Sequence, residues 1–154
     1  MELRHVSFGA TAATVTSMGL IVGLDAASAP RPTIVASLLV MALADNLTDS
    51  LGVHVYQESE RLEARKAFVA TSTNFAARFA VALTFVVLVE LLPIGIAIGA
   101  SVLWGIALLG TLSTFLARVR RVRITTEVAK HLSVALLVIL LSREIGNWIG
   151  RAIE

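Results

Sequence analysis

Five apolar runs, each near 20 residues, follow one another along the chain with only short polar connectors between them. They cover about residues 6–24, 33–55, 70–92, 94–117 and 127–149. A helix needs about 20 residues to cross the hydrocarbon core of a bilayer, so each run is long enough to span one. Barrel strands are excluded, because the runs are too long and lack the alternation of apolar and polar residues that a barrel wall requires. The expected fold is all-α: a polytopic membrane protein with five transmembrane helices, forming a single domain over residues 1–154 and leaving almost no mass outside the bilayer.

Composition agrees. The chain is 56% hydrophobic and 16% charged, with a mean hydropathy of +0.83. Soluble domains run about 45–50% apolar and about 25% charged. A net charge of +2 with no aromatic-rich basic patch gives no reason to expect nucleic acid as a partner. The absence of cysteine removes disulfides, thiolate metal sites and thiol catalysis. No G-x-S-x-G, H-E-x-x-H or Gly-rich phosphate loop is present, and no nucleophile–base pair stands out, so the chain is not expected to be an enzyme.

The first run has a rival reading as a signal peptide, since Arg4 precedes it and Ala27-Ser28-Ala29 resembles a cleavage site. Its hydroxyl content (Ser7, Thr11, Thr14, Thr16, Ser17) suits a helix facing polar company instead. Thr11, Thr14 and Met18 share one face, and Gly19 and Gly23 form a small-xxx-small pair suited to close packing. Gly95 and Gly99 form a second such pair in the fourth run. Residues 25–32, DAASAPRP, read as a turn, and Pro93 with Gly95 as a tight hairpin. Residues 57–66, QESERLEARK, are a charged exit from the second run, and residues 118–123, RVRRVR, a basic loop. Trp148 sits where an interfacial anchor is expected.

Basic residues are distributed unequally. Arg4, Arg61, Arg65, Lys66, Arg118, Arg120, Arg121, Arg123 and Lys130 fall on one side, and only Arg31, Arg143 and Arg151 on the other. The positive-inside rule then places the N-terminus in the cytoplasm and the C-terminus outside.

Chemistry concentrates in the second run, where ALADNLTDSLGVHVYQESE carries Asp45, Asn46 and Asp49 inside apolar sequence. A carboxylate at membrane depth costs roughly 2.5–3.5 kcal/mol on insertion scales. Residues four apart share a helix face, so Asp45 and Asp49 lie on the same side. At about 1.5 Å per residue Asp49 is ~9 Å and Asp45 ~15 Å from the charged end of the run, and Arg78 of the third run, which also holds Thr71 and Asn74, is ~12 Å deep. The three charges share a layer, and Arg78 is expected to neutralise one aspartate. The other, assisted by Asn46, offers oxygen ligands to a hard divalent cation or carries a proton. His54 and Met18 are candidate softer ligands, with an interfacial position and packing as their plainer roles. Glu58, Glu60 and Glu63 form either a cation-attracting vestibule or an ordinary solvated exit. Glu90 and Glu144 fall near the outer surface.

These residues resemble the vacuolar iron transporter family, which includes the yeast calcium-sensitivity-complementing iron and manganese transporters and plant nodulin-like members. The likeness is carried by His5-Val6-Ser7-Phe8-Gly9 at the start of the first helix and by residues 42–60, a small-residue run ending in an aromatic residue and Ser59-Glu60. Leu91-Leu92-Pro93 and Ile149-Gly150-Arg151 also fit. The resemblance implies a homodimer whose first helices line a path for Fe²⁺ or Mn²⁺, exported in exchange for protons. It also implies a minimal, prokaryotic-like member in an inner membrane, without the cytoplasmic metal-binding domain: about ten residues stand in its place. Phe8 stands where the family commonly has Asp, and Thr48-Asp49 lies near its second-helix methionine.

The expected function is therefore divalent metal transport, proton-coupled and outward from the cytoplasm, with no tightly bound cofactor. The expected partners are the lipid bilayer, a second copy of the chain, a divalent metal ion and the proton. The expected metal residues are Asp45, Asp49, Asn46, His54 and Glu58, with Arg78 as charge partner. The alternative is a non-transporting membrane scaffold in which the Asp and Arg residues form only a structural network.

Overall fold

The computed structural model describes residues 2–59 and 64–153, and among them every regular element is a helix: α1 (Glu2–Ala26), α2 (Arg31–Ser59), α3 (Ala64–Leu91), α4 (Ile94–Arg120) and α5 (Ile124–Ile153). All five are long and apolar enough to span a bilayer, so the chain is an integral membrane protein. The helices outrun the apolar segments that mark them in the sequence. α2 continues four residues past Val55 into the charged exit, and α4 takes in Arg118 and Arg120, leaving only residues 121–123 of the basic stretch as a turn. Hydropathy locates hydrocarbon, whereas helical hydrogen bonding continues into the head-group region until something stops it.

Two of those stops are visible. Arg121 adopts a left-handed conformation (φ 54°, ψ 38°), and Val122 N–H then reaches back to the Ala117 carbonyl at 3.0 Å. Ser28 does the same after α1 (φ 59°), with Ala29 N–H donating to the Leu24 carbonyl at 2.9 Å. Both are Schellman-type ends made without glycine, which costs roughly 1–2 kcal/mol each in backbone strain.

α1 is the central element. It packs against all four other helices, while α2 pairs with α3 and α4 with α5. Half of its spanning stretch is buried, 50% against 11% for α5. Such centrality needs small residues, because helices in lipid associate through close van der Waals fit rather than through exclusion of water. On α4 the buried positions recur every four residues: Ala97, Ser101, Gly105, Leu109, Ser113 and Ala117. Met18 of α1 lies against Gly105 so closely that no side chain fits there. Met18 is wholly buried among Ile21, Ile34, Leu38, Phe85 and Leu109, so its role is packing. The Gly19/Gly23 pair fits against Val138 and Ser142 of α5, and Gly146 of α5 abuts the Gly23 backbone carbonyl. The Gly95/Gly99 pair does not pack: a methyl group at either position would meet nothing within 4 Å.

Polar clamps fix the helix pairs. Arg31, at the start of α2, donates from Nη2 to the Leu92 carbonyl at 2.9 Å and from Nη1 to the Glu90 carbonyl at 3.3 Å, satisfying carbonyls that α3 leaves open at its C-terminus. Trp104 Nε1 donates to Thr84 Oγ1 at 2.9 Å between α4 and α3, and Ser113 Oγ and His131 Nδ1 share a hydrogen bond of 2.7 Å between α4 and α5. Glu90, Glu144 and Trp148 are exposed.

Gly146, which abuts Gly23, and Gly99 make a direct test. A methyl at Gly146 would collide with backbone, so Gly146→Ala is expected to destabilise by about 1–3 kcal/mol. Gly99→Ala enters open space in a helix and is expected to be neutral or stabilising by up to about 1 kcal/mol. Thermal unfolding in detergent measures both; equal effects would contradict the assigned packing.

Candidate functional site: a buried arginine held by two carboxylates

Arg78 points from the middle of α3 into the interface with α2, and only 1% of it is exposed. Three acceptors within five residues of α2 meet its guanidinium. Nε donates to Asn46 Oδ1 at 2.7 Å and Nη2 to Asp45 Oδ2 at 2.7 Å. Nη1 lies 2.5 Å from Asp49 Oδ2, with its N–H bonds turned off that line, so this contact is an ion pair rather than a hydrogen bond. Helical spacing explains why one segment supplies all three: positions 45, 46 and 49 fall on one face, so a single planar fork can engage each of them. α1 covers the site through Gly9, where a methyl group would run into the Asn74 side chain and come within 2.8 Å of Arg78 Cγ.

The expected one-to-one pairing is corrected here: Arg78 takes both aspartates. The cluster still holds two carboxylates against one guanidinium, which leaves one negative charge uncompensated. The burial is uneven as well, 2% exposure for the arginine side chain against 42% for each aspartate. The cation is thus sealed inside while both carboxylates form part of the outer surface of the protomer. In each aspartate Oδ2 is the oxygen that meets the arginine.

The remaining predicted ligands are placed differently. Asn46 is 2% exposed and its carbonyl oxygen is committed to Arg78, so it holds the arginine and has no oxygen left over for a metal in this arrangement. His54 is half-buried and has polar or electrostatic company of its own. It lies five residues after Asp49, about 140° round the helix. Among the described residues no group of three or more His, Asp or Glu side chains is gathered within reach of one ion. The side chain of Glu58, and Glu60 and Glu63 entirely, lie outside the described residues.

Sequence reasoning assigned no role to Asn74 and Ser50, which are 0% and 5% exposed beside the cluster. Their spacing carried the signal: Asn74 is one turn before Arg78, and Ser50 one turn after Asn46.

Removal of the arginine leaves two like charges one turn apart with no cation. Arg78→Met is therefore expected to destabilise by about 2–3 kcal/mol, less than the ~3–5 kcal/mol of a fully buried pair because the carboxylates are partly exposed. Adding Asp45→Asn and Asp49→Asn to Arg78→Met should recover most of that loss in a thermal unfolding assay. A triple variant no more stable than Arg78→Met would contradict the ion-pair account. Comparison of the chain with protein families, with curated proteins and with solved structures found no match to any of them.

Proposed function

We propose that the chain is a membrane transporter for a divalent cation of the Fe²⁺ or Mn²⁺ type, coupled to protons, with the Asp45–Asp49–Arg78 cluster as the point where cation and proton compete. The observation that supports this reading is the excess carboxylate: two half-exposed acids share one buried arginine in the apolar middle of two spanning helices. A purely structural pair would need only one acid, and a surplus carboxylate at that depth is costly unless something positive visits it. The two partly exposed carboxylates are hard oxygen donors that suit a divalent cation, with water or a second protomer completing its coordination. A site with so few fixed ligands holds a cation weakly, as passage requires.

A homodimer belongs to the same proposal. Ala44, Thr48 and Gly52 are exposed at four-residue spacing beside the two aspartates, and Gly52 has open space where a side chain would sit. Small residues in such a row let a second copy approach closely enough to bring its own carboxylates near.

The scaffold reading has one observation in its favour. The whole guanidinium edge is occupied by Asp45, Asn46 and Asp49, as a structural lock would be.

Flux measurements separate the two. In liposomes with an imposed pH gradient, the wild-type chain should carry Fe²⁺ or Mn²⁺ above the background of empty vesicles. Asp49→Asn should reduce that flux to background while leaving detergent elution and unfolding temperature near wild type. Unchanged flux in Asp49→Asn, or none in wild type, would overturn the transport proposal.

A further inference from the structure

The interface between α2 and α3 changes character at Arg78. Toward the start of α2 and the end of α3 its buried residues are Ile34, Leu38 and Ala42 on one helix and Ala82, Phe85 and Val89 on the other, all at 0% exposure. Toward the end of α2 and the start of α3 the buried described residues are Asn46 and Ser50 on one helix and Asn74 and Ala70 on the other, with the half-buried Thr71 turning a buried Oγ1 to the same side. The helices run antiparallel, so Ser50 lies about 6 Å beyond Asn46, and Asn74 and Thr71 about 6 Å and 10 Å beyond Arg78, all in one direction.

The polar atoms on that side are uncommitted. Asn46 Nδ2, Ser50 Oγ, Thr71 Oγ1 and both Asn74 Oδ1 and Nδ2 are buried with no hydrogen-bond partner in the protein. Outside the seam Ser17 Oγ on α1 and Ser101 Oγ on α4 are also buried without a partner, but most other hydroxyls bond to their own helix. Thr16, Thr48, Thr73, Thr111 and Ser133, on outward or intermediate faces, each donate to the carbonyl four residues back at 2.6–2.8 Å. That bond is equally open to Ser50 and Thr71 on their own helices, yet neither makes it. A buried amide or hydroxyl without a partner costs about 1–3 kcal/mol. Several in one column mark a place where ordered water supplies the partners.

We propose that the α2–α3 seam is a hydrated half-channel, closed at Arg78 by the apolar packing beyond it. Its ligand is a file of water molecules held by Thr71, Ser50, Asn74 and Asn46. Its inner end is the Arg78 cluster, so water in the seam gives protons a route to the arginine-bound side of Asp49, whose other side is exposed. The use of that route for coupling rests on the transport reading; the hydration of the seam does not.

The chain has no cysteine, so one introduced thiol gives an isolated S–H stretching band in the infrared. Ser50→Cys and Thr71→Cys are nearly isosteric and report the polar half. Ala42→Cys and Ala82→Cys report the apolar half, with Leu38→Cys and Val89→Cys in their place if the added sulfur lowers the unfolding temperature. Membranes holding each variant are transferred to D₂O and conversion of S–H to S–D is followed. Thiols at 50 and 71 should exchange at least about tenfold faster than those on the apolar side, which meet water only when the protein opens locally. Equal rates, or slower exchange at 50 and 71, would overturn the half-channel. Fast exchange at 50 and 71 in a protein that carries no metal flux would uphold it while refuting the transport reading.

Discussion

The arrangement of this protein follows from placing a guanidinium inside a bundle of apolar helices. A cation of that size loses several kcal/mol of hydration on burial, and Arg78 cannot shed its charge, so it must be surrounded by acceptors. Asp45, Asn46 and Asp49 meet that demand from just over one turn of α2, which fixes the register of α2 against α3. At the far end Arg31 repeats the principle on a smaller scale, donating to the carbonyls of Glu90 and Leu92. Two arginine clamps, one in the middle of the interface and one at its end, leave little freedom for the pair to slide.

The cluster also divides the molecule. On one side of it the seam is sealed by side chains with no polar atom, and on the other it is lined by amides and hydroxyls without protein partners. α1 closes the seam from inside, and Gly9 permits it to approach Asn74 and Arg78 where any side chain would hold it off. The same use of small residues recurs along α1 at Gly19 and Gly23. The hydroxyl-rich composition of this helix thus reflects a central position where bulk is excluded: Thr14 and Ser17 are both at 0% exposure, and Thr14 Oγ1 donates to its own helix at the Ala10 carbonyl.

Much of this was legible in the sequence. Five spans follow from the length of the apolar runs, and the shared face of Asp45 and Asp49 from their spacing of four. The depth count that put Arg78 in the same layer was correct because both helices are regular between the charged exit and the site. The pairing itself was not legible. Counting charges suggests one acid per arginine, whereas a planar fork with five donors can hold two carboxylates and an amide together. The Gly95/Gly99 pair meets no helix of its own chain among the described residues: spacing shows that close approach is possible and says nothing about which helix approaches. Helix ends were underestimated because hydropathy falls at the head groups while backbone hydrogen bonds continue to Arg120 and Ser59. The polar seam stayed hidden since it exists only once α2 and α3 are laid side by side.

The account rests on Arg78 being held by both aspartates at once, and nitrogen NMR of the arginine side chain tests this directly in a bilayer mimetic. A guanidinium hydrogen-bonded at Nε and Nη2 and ion-paired at Nη1 cannot rotate freely, so Arg78 should give separate resonances for Nη1 and Nη2. Those resonances should merge when either Asp45→Asn or Asp49→Asn loosens one edge. A single averaged signal in the wild-type protein, or resonances unmoved by either substitution, would contradict the bridge on which this structure is built.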